Sequence, residues 1–159
     1  MTKPHIFHFA VAYADTDAEG VMYHARYIEV AERARSNWSK GMVIPDGDVG
    51  FVARELNIKY MRPIFLNDEF TVETQAVKIG GASMTIEQKF VKYDEICAIM
   101  NITIAYLGSD MRPKAIPESI LKAFEYYWEL KNYADYAGVN IYNASEYSLI
   151  DAYERKEIE

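Results

Sequence analysis

The densest cluster of reactive side chains in this 159-residue chain lies near its N-terminus. Asp15, Asp17 and Glu19 supply three closely spaced carboxylates, and His24 follows at the predicted start of a helix. The first backbone N–H groups of a helix have no partner inside it, and the helix dipole gives that end a positive potential. Such donors can bind a developing oxyanion, while a nearby carboxylate can attack a carbonyl or activate water. The cluster therefore indicates acyl transfer to water.

Three other interpretations of this cluster remain open. The order Asp-x-Asp-x-Glu-Gly from Asp15 matches the first half of a calcium loop, but the twelfth position is Arg26, which would repel the ion. Asp and Thr residues before a helix often do no more than cap its N–H groups. A lone histidine at a helix start, such as His24, is often a hydrogen-bonded structural residue.

The elements that must position the cluster follow from the spacing of apolar residues. Residues 5–13 predict a strand, and from His24 apolar residues recur every three or four positions, which predicts a helix ending near Gly41. Alternation predicts half-buried strands around residues 56–60, 69–76 and 84–90, and the apolar run 96–107 predicts a central strand covered on both faces. Short turns, at Gly80-Gly81 and at Tyr93-Asp94-Glu95, would join these strands as antiparallel hairpins. The predicted class is α+β, with the helix across one face of an antiparallel sheet.

The chain divides in composition at Pro117, which opens a second predicted helix. The net charge is −7, and nine acids against four bases lie from Pro117 onward, together with seven of the 13 tyrosines. We therefore predict a body over residues 1–116 and an acidic, Tyr-rich helical extension over residues 117–159. So many aromatic residues predict that the extension packs on the body or on a neighbouring subunit.

Composition excludes several classes of protein. The acidic balance argues against nucleic acid as a partner. The single cysteine, Cys97, excludes an internal disulfide framework and a cysteine-built zinc site, and it fits a reducing compartment. The sequence shows no pattern of a signal peptide and no run of roughly 20 apolar residues. We expect a soluble cytoplasmic protein with no stable membrane insertion.

The loop sequence from Tyr13 to Tyr27, YADTDAEGVMYHARY, and its continuation Glu32-Arg33-Ala34-Arg35 closely resemble the acyl-CoA thioesterases of the hotdog fold. The most similar group is the Tol–Pal-associated branch of the 4-hydroxybenzoyl-CoA thioesterase family. Weaker similarity continues as far as residue 125, through the segments Ile58-x-Tyr60-x-x-Pro63, Asp68, Gly81-x-Ser83, Arg112-Pro113 and Ile116-Pro117. The resemblance implies a curved antiparallel sheet of about five strands wrapped around one long helix.

The resemblance also implies roles for the loop residues. Asp17 would be the catalytic nucleophile or general base, and the backbone N–H of His24 or its neighbours would polarise the thioester carbonyl. The His24 side chain would position water or the thiolate leaving group, and Tyr23 would shape the pocket. We expect Asp15 to make a loop hydrogen bond instead. Glu19 stands where the most similar branch usually has Gly, so we expect a changed loop shape or repulsion of anionic substrates.

Coenzyme A, which is part of the substrate, requires a basic patch on a nearly neutral body. Bases beside turns or strand ends are candidates, although each can equally be ordinary surface charge: Lys59, Arg62, Lys92, Arg112 and Lys114. Gly81 and Ser83 match the family and would line the groove for the pantetheine arm, although Gly80-Gly81 also fits a simple hairpin turn. The resemblance implies no metal or further cofactor, and it implies a homodimer paired edge to edge or a homotetramer.

Two rival functions remain. A hotdog enoyl-CoA hydratase or dehydratase would carry an Asp–His pair beside the acyl chain, and the D-x-N-x-x-H arrangement typical of that group is absent. A non-catalytic acyl-CoA-binding module would bind the thioester without turnover, and the intact pair of Asp17 and His24 argues against it.

Overall fold

The computed structural model describes residues 4–122 of the chain. Its elements are, in order, β1 (His5–Ala10), a 3₁₀ turn (Tyr13–Asp15), α1 (His24–Trp38), β2 (Gly50–Tyr60), β3 (Glu69–Ile79), β4 (Ser83–Lys92) and β5 (Glu95–Leu107). Residues 118–122 are helical. The rest of the predicted extension lies outside the described residues.

The five strands form one antiparallel sheet in the order β1-β3-β4-β5-β2. The predicted antiparallel sheet of about five strands is therefore confirmed, with β5 as an inner strand and β1 and β2 at the two edges. The turn between β4 and β5 consists of Tyr93 and Asp94, whose φ angles of 51° and 62° match the right-handed twist of a two-residue hairpin. Glu95, which the sequence placed in this turn, is already the first residue of β5.

The α1 helix lies across the inward face of the sheet. Its buried face consists of Tyr27, Val30, Ala31, Ala34 and Trp38. Ala31 and Ala34 are fully buried, and their small side chains allow the helix backbone to approach the strands closely. The core beneath them is formed by Phe70, Val72, Phe90, Ala98 and Met100. The helix ends at Trp38, and a turn over residues 39–41 follows it to the predicted end near Gly41, whose φ of 102° no longer fits a helix.

The edge strand β2 is longer than its sequence pattern predicts. It starts at Gly50, and Phe51 and Ala53 pair with Tyr106 and Ile104 of β5. A register shift between Ala53 and Glu55 interrupts the alternation of inward and outward side chains. The first part of the strand therefore does not continue the pattern of residues 56–60.

A second apolar cluster closes the end of the sheet where β2 begins. Tyr106 packs there against Ile116 and Ile120, together with four partly buried neighbours: Met42, Ile44, Phe51 and Leu121. The residues that follow β5 therefore return to the body before the described chain ends. Within residues 4–122, no helix has both the length and the apolarity to cross a lipid bilayer.

Candidate active site

The loop between β1 and α1 folds back on itself as a narrow hairpin. Thr16 and Met22 form an antiparallel bridge, and the Asp17 N–H donates to Val21 O at 2.9 Å. The Tyr23 N–H in turn donates to Asp15 O at 2.9 Å. These backbone bonds place Asp17 on the strand of the hairpin that runs beside the start of α1.

The segment before β3 holds this hairpin from the other side. The Met22 N–H donates to Ile64 O at 2.7 Å, and the Leu66 N–H donates to Gly20 O at 3.0 Å. Val21 also forms an antiparallel bridge with Phe65. The loop is therefore a three-stranded arrangement whose position is fixed by backbone groups.

The Asp17 carboxylate is oriented by its own turn. Its Oδ1 accepts the N–H groups of Glu19 and Val21, both at 3.1 Å, and Gly20 closes the turn with φ at 75°. The side chain is exposed, and its Oδ2 accepts no hydrogen bond from any residue in the range 4–122. One carboxylate oxygen is thus fixed, and the other can meet a substrate or a water.

Asp15, in contrast, is buried and committed to the loop. Its Oδ2 accepts the Ala12 N–H at 2.8 Å, and its Oδ1 accepts Nε of Arg26 at 2.9 Å and also Nη2 of Arg26. Burial alone would raise the pKa of Asp15, but the bonds from Ala12 and Arg26 hold that pKa below its ordinary value. The predicted loop hydrogen bond of Asp15 is confirmed. Its ion pair with Arg26 was missed, because the two residues lie eleven positions apart across an irregular loop.

The N-terminus of α1 has no side-chain cap. Its N-cap residue is Tyr23, which makes no capping hydrogen bond, so the interpretation of Asp15, Thr16 and Asp17 as caps of this helix is wrong. Within the described part of the chain, the N–H groups of His24 and Ala25 donate to no acceptor. These two donors stand at the positive end of the helix, where an oxyanion would be stabilised.

Aromatic side chains surround His24. Its ring centroid lies 4.3 Å from that of Tyr23, and Tyr60 donates its hydroxyl to His24 O at 2.9 Å. The Tyr60 ring packs edge-on against Tyr27 at 5.1 Å. Sequence reasoning gave Tyr60 no site role, since it lies 36 positions from His24 and no local pattern joins them. Tyr60 nevertheless joins the end of β2 to the N-terminal end of α1.

The residues predicted to bind coenzyme A fall into two groups. Lys59 and Arg62 lie at the end of β2 beside Tyr60, and Arg62 pairs with Glu95 at 2.7 Å. Gly81, Ser83, Arg112 and Lys114 lie at the opposite end of the sheet.

Three contacts establish that opposite position. The Lys114 N–H donates to Tyr106 O at 2.9 Å, the Ile116 N–H donates to Gly81 O at 2.8 Å, and Ser83 pairs with Ala105. Lys114 Nζ also binds Asp48, at 2.8 Å and 2.9 Å from the two carboxylate oxygens.

The two groups contact opposite ends of β5. The Arg62 N–H donates to Cys97 O and the Lys114 N–H to Tyr106 O, and nine residues of strand span roughly 30 Å. One subunit therefore does not bring the six residues together. Lys92, a further candidate base, pairs instead with Asp68 at 2.7 Å. Among the residues that the structure describes, no group of three or more His, Cys, Asp or Glu side chains is arranged to hold a metal ion.

Several known proteins resemble this chain in sequence or in fold. The sequence is 32% identical over 127 residues to an acyl-CoA thioesterase of Haemophilus influenzae named YbgC. The match covers 76% of this chain and 93% of the relative. A crystal structure of a probable thioesterase from Bartonella henselae is 30% identical, with a TM-score of 0.65 over 72% of this chain and 99% of that one. A Staphylococcus aureus protein solved in complex with CoA, SAV2348, shares the fold at 19% identity, with a TM-score of 0.71 over 81% of this chain and 87% of that one.

The family model that matches this chain covers the loop, the helix and four of the five strands. It is described as the thioesterase-like superfamily, and the match extends over residues 11–124. The matched segment includes Asp17, the start of α1 and all the strands except β1. The chain belongs to the thioesterase-like superfamily.

Proposed function

We propose that this chain hydrolyses acyl-CoA thioesters to the free acid and coenzyme A. The observation that carries the proposal is an open carboxylate oxygen, Asp17 Oδ2, in the hairpin that leads directly into α1, where the N–H groups of His24 and Ala25 have no acceptor among residues 4–122. The similarity to the acyl-CoA thioesterase from Haemophilus influenzae supports the choice of substrate, since the match spans 93% of that relative's length.

The reaction follows from the roles that these groups can take. The thioester oxygen accepts hydrogen bonds from the helix start, which makes the carbonyl carbon electrophilic. Asp17 either attacks that carbon, giving an acyl-enzyme anhydride that water then hydrolyses, or removes a proton from an attacking water. In both routes the C–S bond breaks and coenzyme A leaves as a thiolate that takes up a proton. His24 positions the water or the leaving sulfur, Tyr23 lines the pocket, and no metal or further cofactor takes part.

Replacement of Asp17 by Asn tests this mechanism. Asn keeps an oxygen that can accept the N–H groups of Glu19 and Val21, so the loop should hold its shape while the base or nucleophile is lost. We expect hydrolysis to fall by about 10²- to 10⁴-fold across a panel of acyl-CoAs. The matched control is Asp46→Asn, which alters an exposed loop carboxylate and should change nothing.

Three outcomes would contradict the proposal. The first is full hydrolysis by the Asp17→Asn protein. The second is hydration of enoyl-CoA by the wild type without thioester cleavage, which would indicate a lyase. The third is binding of acyl-CoA with no product in single-turnover mass spectrometry, which would indicate a binding module.

We also propose that the enzyme is a homodimer joined at β2 or a tetramer built from such dimers. The support is an eleven-residue strand at the sheet edge, with Leu56 and Tyr60 exposed beside it. Antiparallel pairing of two such edges about a two-fold axis sets the Tyr60 end of one subunit beside the Gly50 end of the other. The bases near Arg62 would then meet the partner copy of the group near Lys114, and together they would form one coenzyme A site.

The mass of the native protein tests this assembly. The chain weighs 18.3 kDa, so light scattering should give at least twice that value at assay concentrations. A monomer with full activity would contradict both the dimer and the shared coenzyme A site.

Three finer assignments are also part of the proposal. The sequence of the loop from Tyr13 to Tyr27 supports membership of the Tol–Pal-associated branch. The single cysteine, Cys97, supports a cytoplasmic location of the protein. The helical residues 118–122 support a body over residues 1–116 followed by a C-terminal helical extension. Cell fractionation tests the location, and recovery of the protein outside the cytoplasmic fraction would contradict it.

A further inference from the structure

One flank of α1 leads from the catalytic end of the helix into a cavity. His24, Ile28, Glu32, Arg35 and Ser39 recur at spacings of four, four, three and four, so they lie along one side of the helix. The far half of this flank borders a cavity of about 270 Å³, which is closed by the inward faces of β2, β4 and β5. The apolar residues that line the cavity are Trp38, Met42, Phe51, Ala53, Ile86, Ile102 and Ile104.

Apolar side chains also connect His24 with this cavity. Ile28 lies one turn after His24 on the same flank and is about one-third exposed, as is Leu56 on the neighbouring strand. Leu56 pairs with Ile102, which is part of the cavity wall, and Tyr60 of the same strand contacts His24. Ile28 on α1 and Leu56 on β2 are therefore placed to line a groove between the two elements, from the helix start to the cavity.

Arg35 places a cation in this apolar cavity. Its Nη1 donates to Gln88 Oε1 at 2.6 Å, and no carboxylate among residues 4–122 lies within 4 Å of the guanidinium. Burial lowers the pKa of Arg35, an effect that the charge of Glu32 partly opposes. The remaining guanidinium donors have no protein acceptor in the described chain, and an anion placed there would gain both charge and bidentate hydrogen bonds.

The position of Arg35 is fixed from behind by a buried amide. Gln88 is fully buried, and its Nε2 donates to Ala31 O at 2.8 Å and to Thr74 Oγ1 at 3.1 Å. This leaves Gln88 Oε1 to accept from Arg35, so the amide orients the guanidinium without neutralising it. A preorganised cation loses little conformational entropy when a ligand binds.

We propose that this groove binds the acyl chain and that Arg35 binds a carboxylate at the far end of that chain. The favoured substrates are then ω-carboxyacyl-CoA thioesters, an inference that rests on the proposed hydrolysis of acyl-CoA. The bonds through Gln88 hold the guanidinium near the level of Ala31, which is roughly 11 Å along the axis from His24. That distance suits an extended diacid chain of roughly eight to ten carbons.

Paired substrates of equal length test the proposal. The wild-type enzyme is assayed with CoA thioesters of straight diacids of about four to twelve carbons, and with the corresponding unsubstituted acyl-CoAs. Replacing Arg35 by Met keeps the length and apolar character of the side chain but removes the charge. We expect kcat/KM for the diacid thioesters to fall by about 10- to 100-fold, since a hydrogen bond to a charged group contributes about 1.5–3 kcal/mol. We expect unsubstituted acyl-CoAs to change by less than about threefold, since the apolar groove is kept.

Two variants serve as matched controls. Arg33→Met removes an exposed arginine that does not line the cavity and should leave both substrate series unchanged. Glu32→Gln removes the acid on the cavity lip and should raise kcat/KM for the diacid thioesters by a few fold, because it removes a repulsion. An effect of opposite sign at Glu32 and Arg35 would not follow from a general loss of structure.

A binding measurement separates this inference from the proposed hydrolysis. Calorimetry with a free ten-carbon diacid and with decanoate needs no turnover, and the diacid should bind at least about tenfold more tightly to wild type but not to Arg35→Met. That result, if no thioester were hydrolysed, would refute the proposed function and support the Arg35 site. Equal loss of both substrate series in Arg35→Met and Arg35→Lys, or no preference for the diacid in binding, would overturn the inference.

Discussion

Replacing Arg26 by Met should loosen the loop that carries Asp17. Arg26 is the only described side chain that donates to the buried Asp15 carboxylate, through Nε at 2.9 Å and through Nη2. Without Arg26, the Asp15 carboxylate keeps one hydrogen-bond donor, the Ala12 N–H, although the residue is only 4% exposed. A hydrogen bond to a buried charge contributes about 1.5–3 kcal/mol, and the partial exposure of Arg26 reduces the sum of its two bonds. We expect a loss of about 2–3 kcal/mol in the free energy of unfolding, which lowers Tm by roughly 6–10 °C.

The loss should depend on pH in a defined direction. The pKa of Asp15 in the folded protein lies below its ordinary value of about 4, so the charged carboxylate stabilises the fold at higher pH. That contribution disappears as the pH falls through the folded-state pKa. In Arg26→Met, burial is the largest remaining influence and raises the pKa of Asp15, so the carboxylate becomes protonated more easily. The difference in stability between the two proteins should therefore be largest near pH 7 and should shrink below about pH 4.

Urea unfolding at a series of pH values measures this difference. Glu29→Gln is the matched control, since it removes the other, half-exposed partner of Arg26 and should cost less than about 0.5 kcal/mol. A double-mutant cycle with Asp15→Asn should give a coupling energy of about 2 kcal/mol. A cost of less than about 0.5 kcal/mol for Arg26→Met at pH 7, or an equal cost at acid pH, would contradict this role of Arg26.

Two further predictions concern the interior. Gln88→Leu should lower the free energy of unfolding by about 2–3 kcal/mol, because Arg35 loses its buried acceptor. The control Thr85→Val, on the outward face of the same strand, should cost less. Equal Tm values for the two variants would contradict this prediction. Burial raises the pKa of Tyr27 and of Tyr106 to about 12, with Asp48 adding to the effect at Tyr106, so the folded state keeps protons that the unfolded state releases above pH 10. Stability should therefore fall as the pH rises from about 10 to 12. Ultraviolet titration of the folded protein should show that at least Tyr27 and Tyr106 ionise late, and ionisation of every tyrosine near pH 10 before unfolding would contradict this prediction.

The parts of the fold that follow a short periodic pattern could be predicted from the sequence. The spacing after His24 and the alternation around residues 69–90 correctly predicted α1 and the central strands, because burial of one face imposes those periods. The start of β2 was missed, since the irregularity between Ala53 and Glu55 shifts the alternating pattern. Local periodicity carries no information about such an interruption.

The candidate site could be predicted in its chemistry but not in its connections. The loop sequence indicated Asp17 and the helix start, which are local features. The capping interpretation was wrong because the hairpin turns the Asp17 carboxylate toward the N–H groups of Glu19 and Val21. Tyr23 occupies the N-cap position instead. The bond from Tyr60 to His24 depends on how α1 lies on the sheet, and no spacing within one element predicts it. The same holds for the bond from Gln88 to Ala31, which joins residues 57 positions apart.

The turn that orients Asp17 has a consequence for how this loop can vary. Its shape depends on backbone groups, on the Asp17 carboxylate and on the positive φ of Gly20, and Glu19 contributes only its N–H. Among the described residues, the Glu19 carboxylate accepts no hydrogen bond and forms no ion pair, so the turn is held without it. Ala18 and Glu19 are exposed positions at which mutation would alter the charge beside Asp17 without removing the acceptor of the bonds that orient its carboxylate. In the proposed hydrolysis, these two positions could therefore change substrate preference while the orientation of the Asp17 carboxylate stays the same.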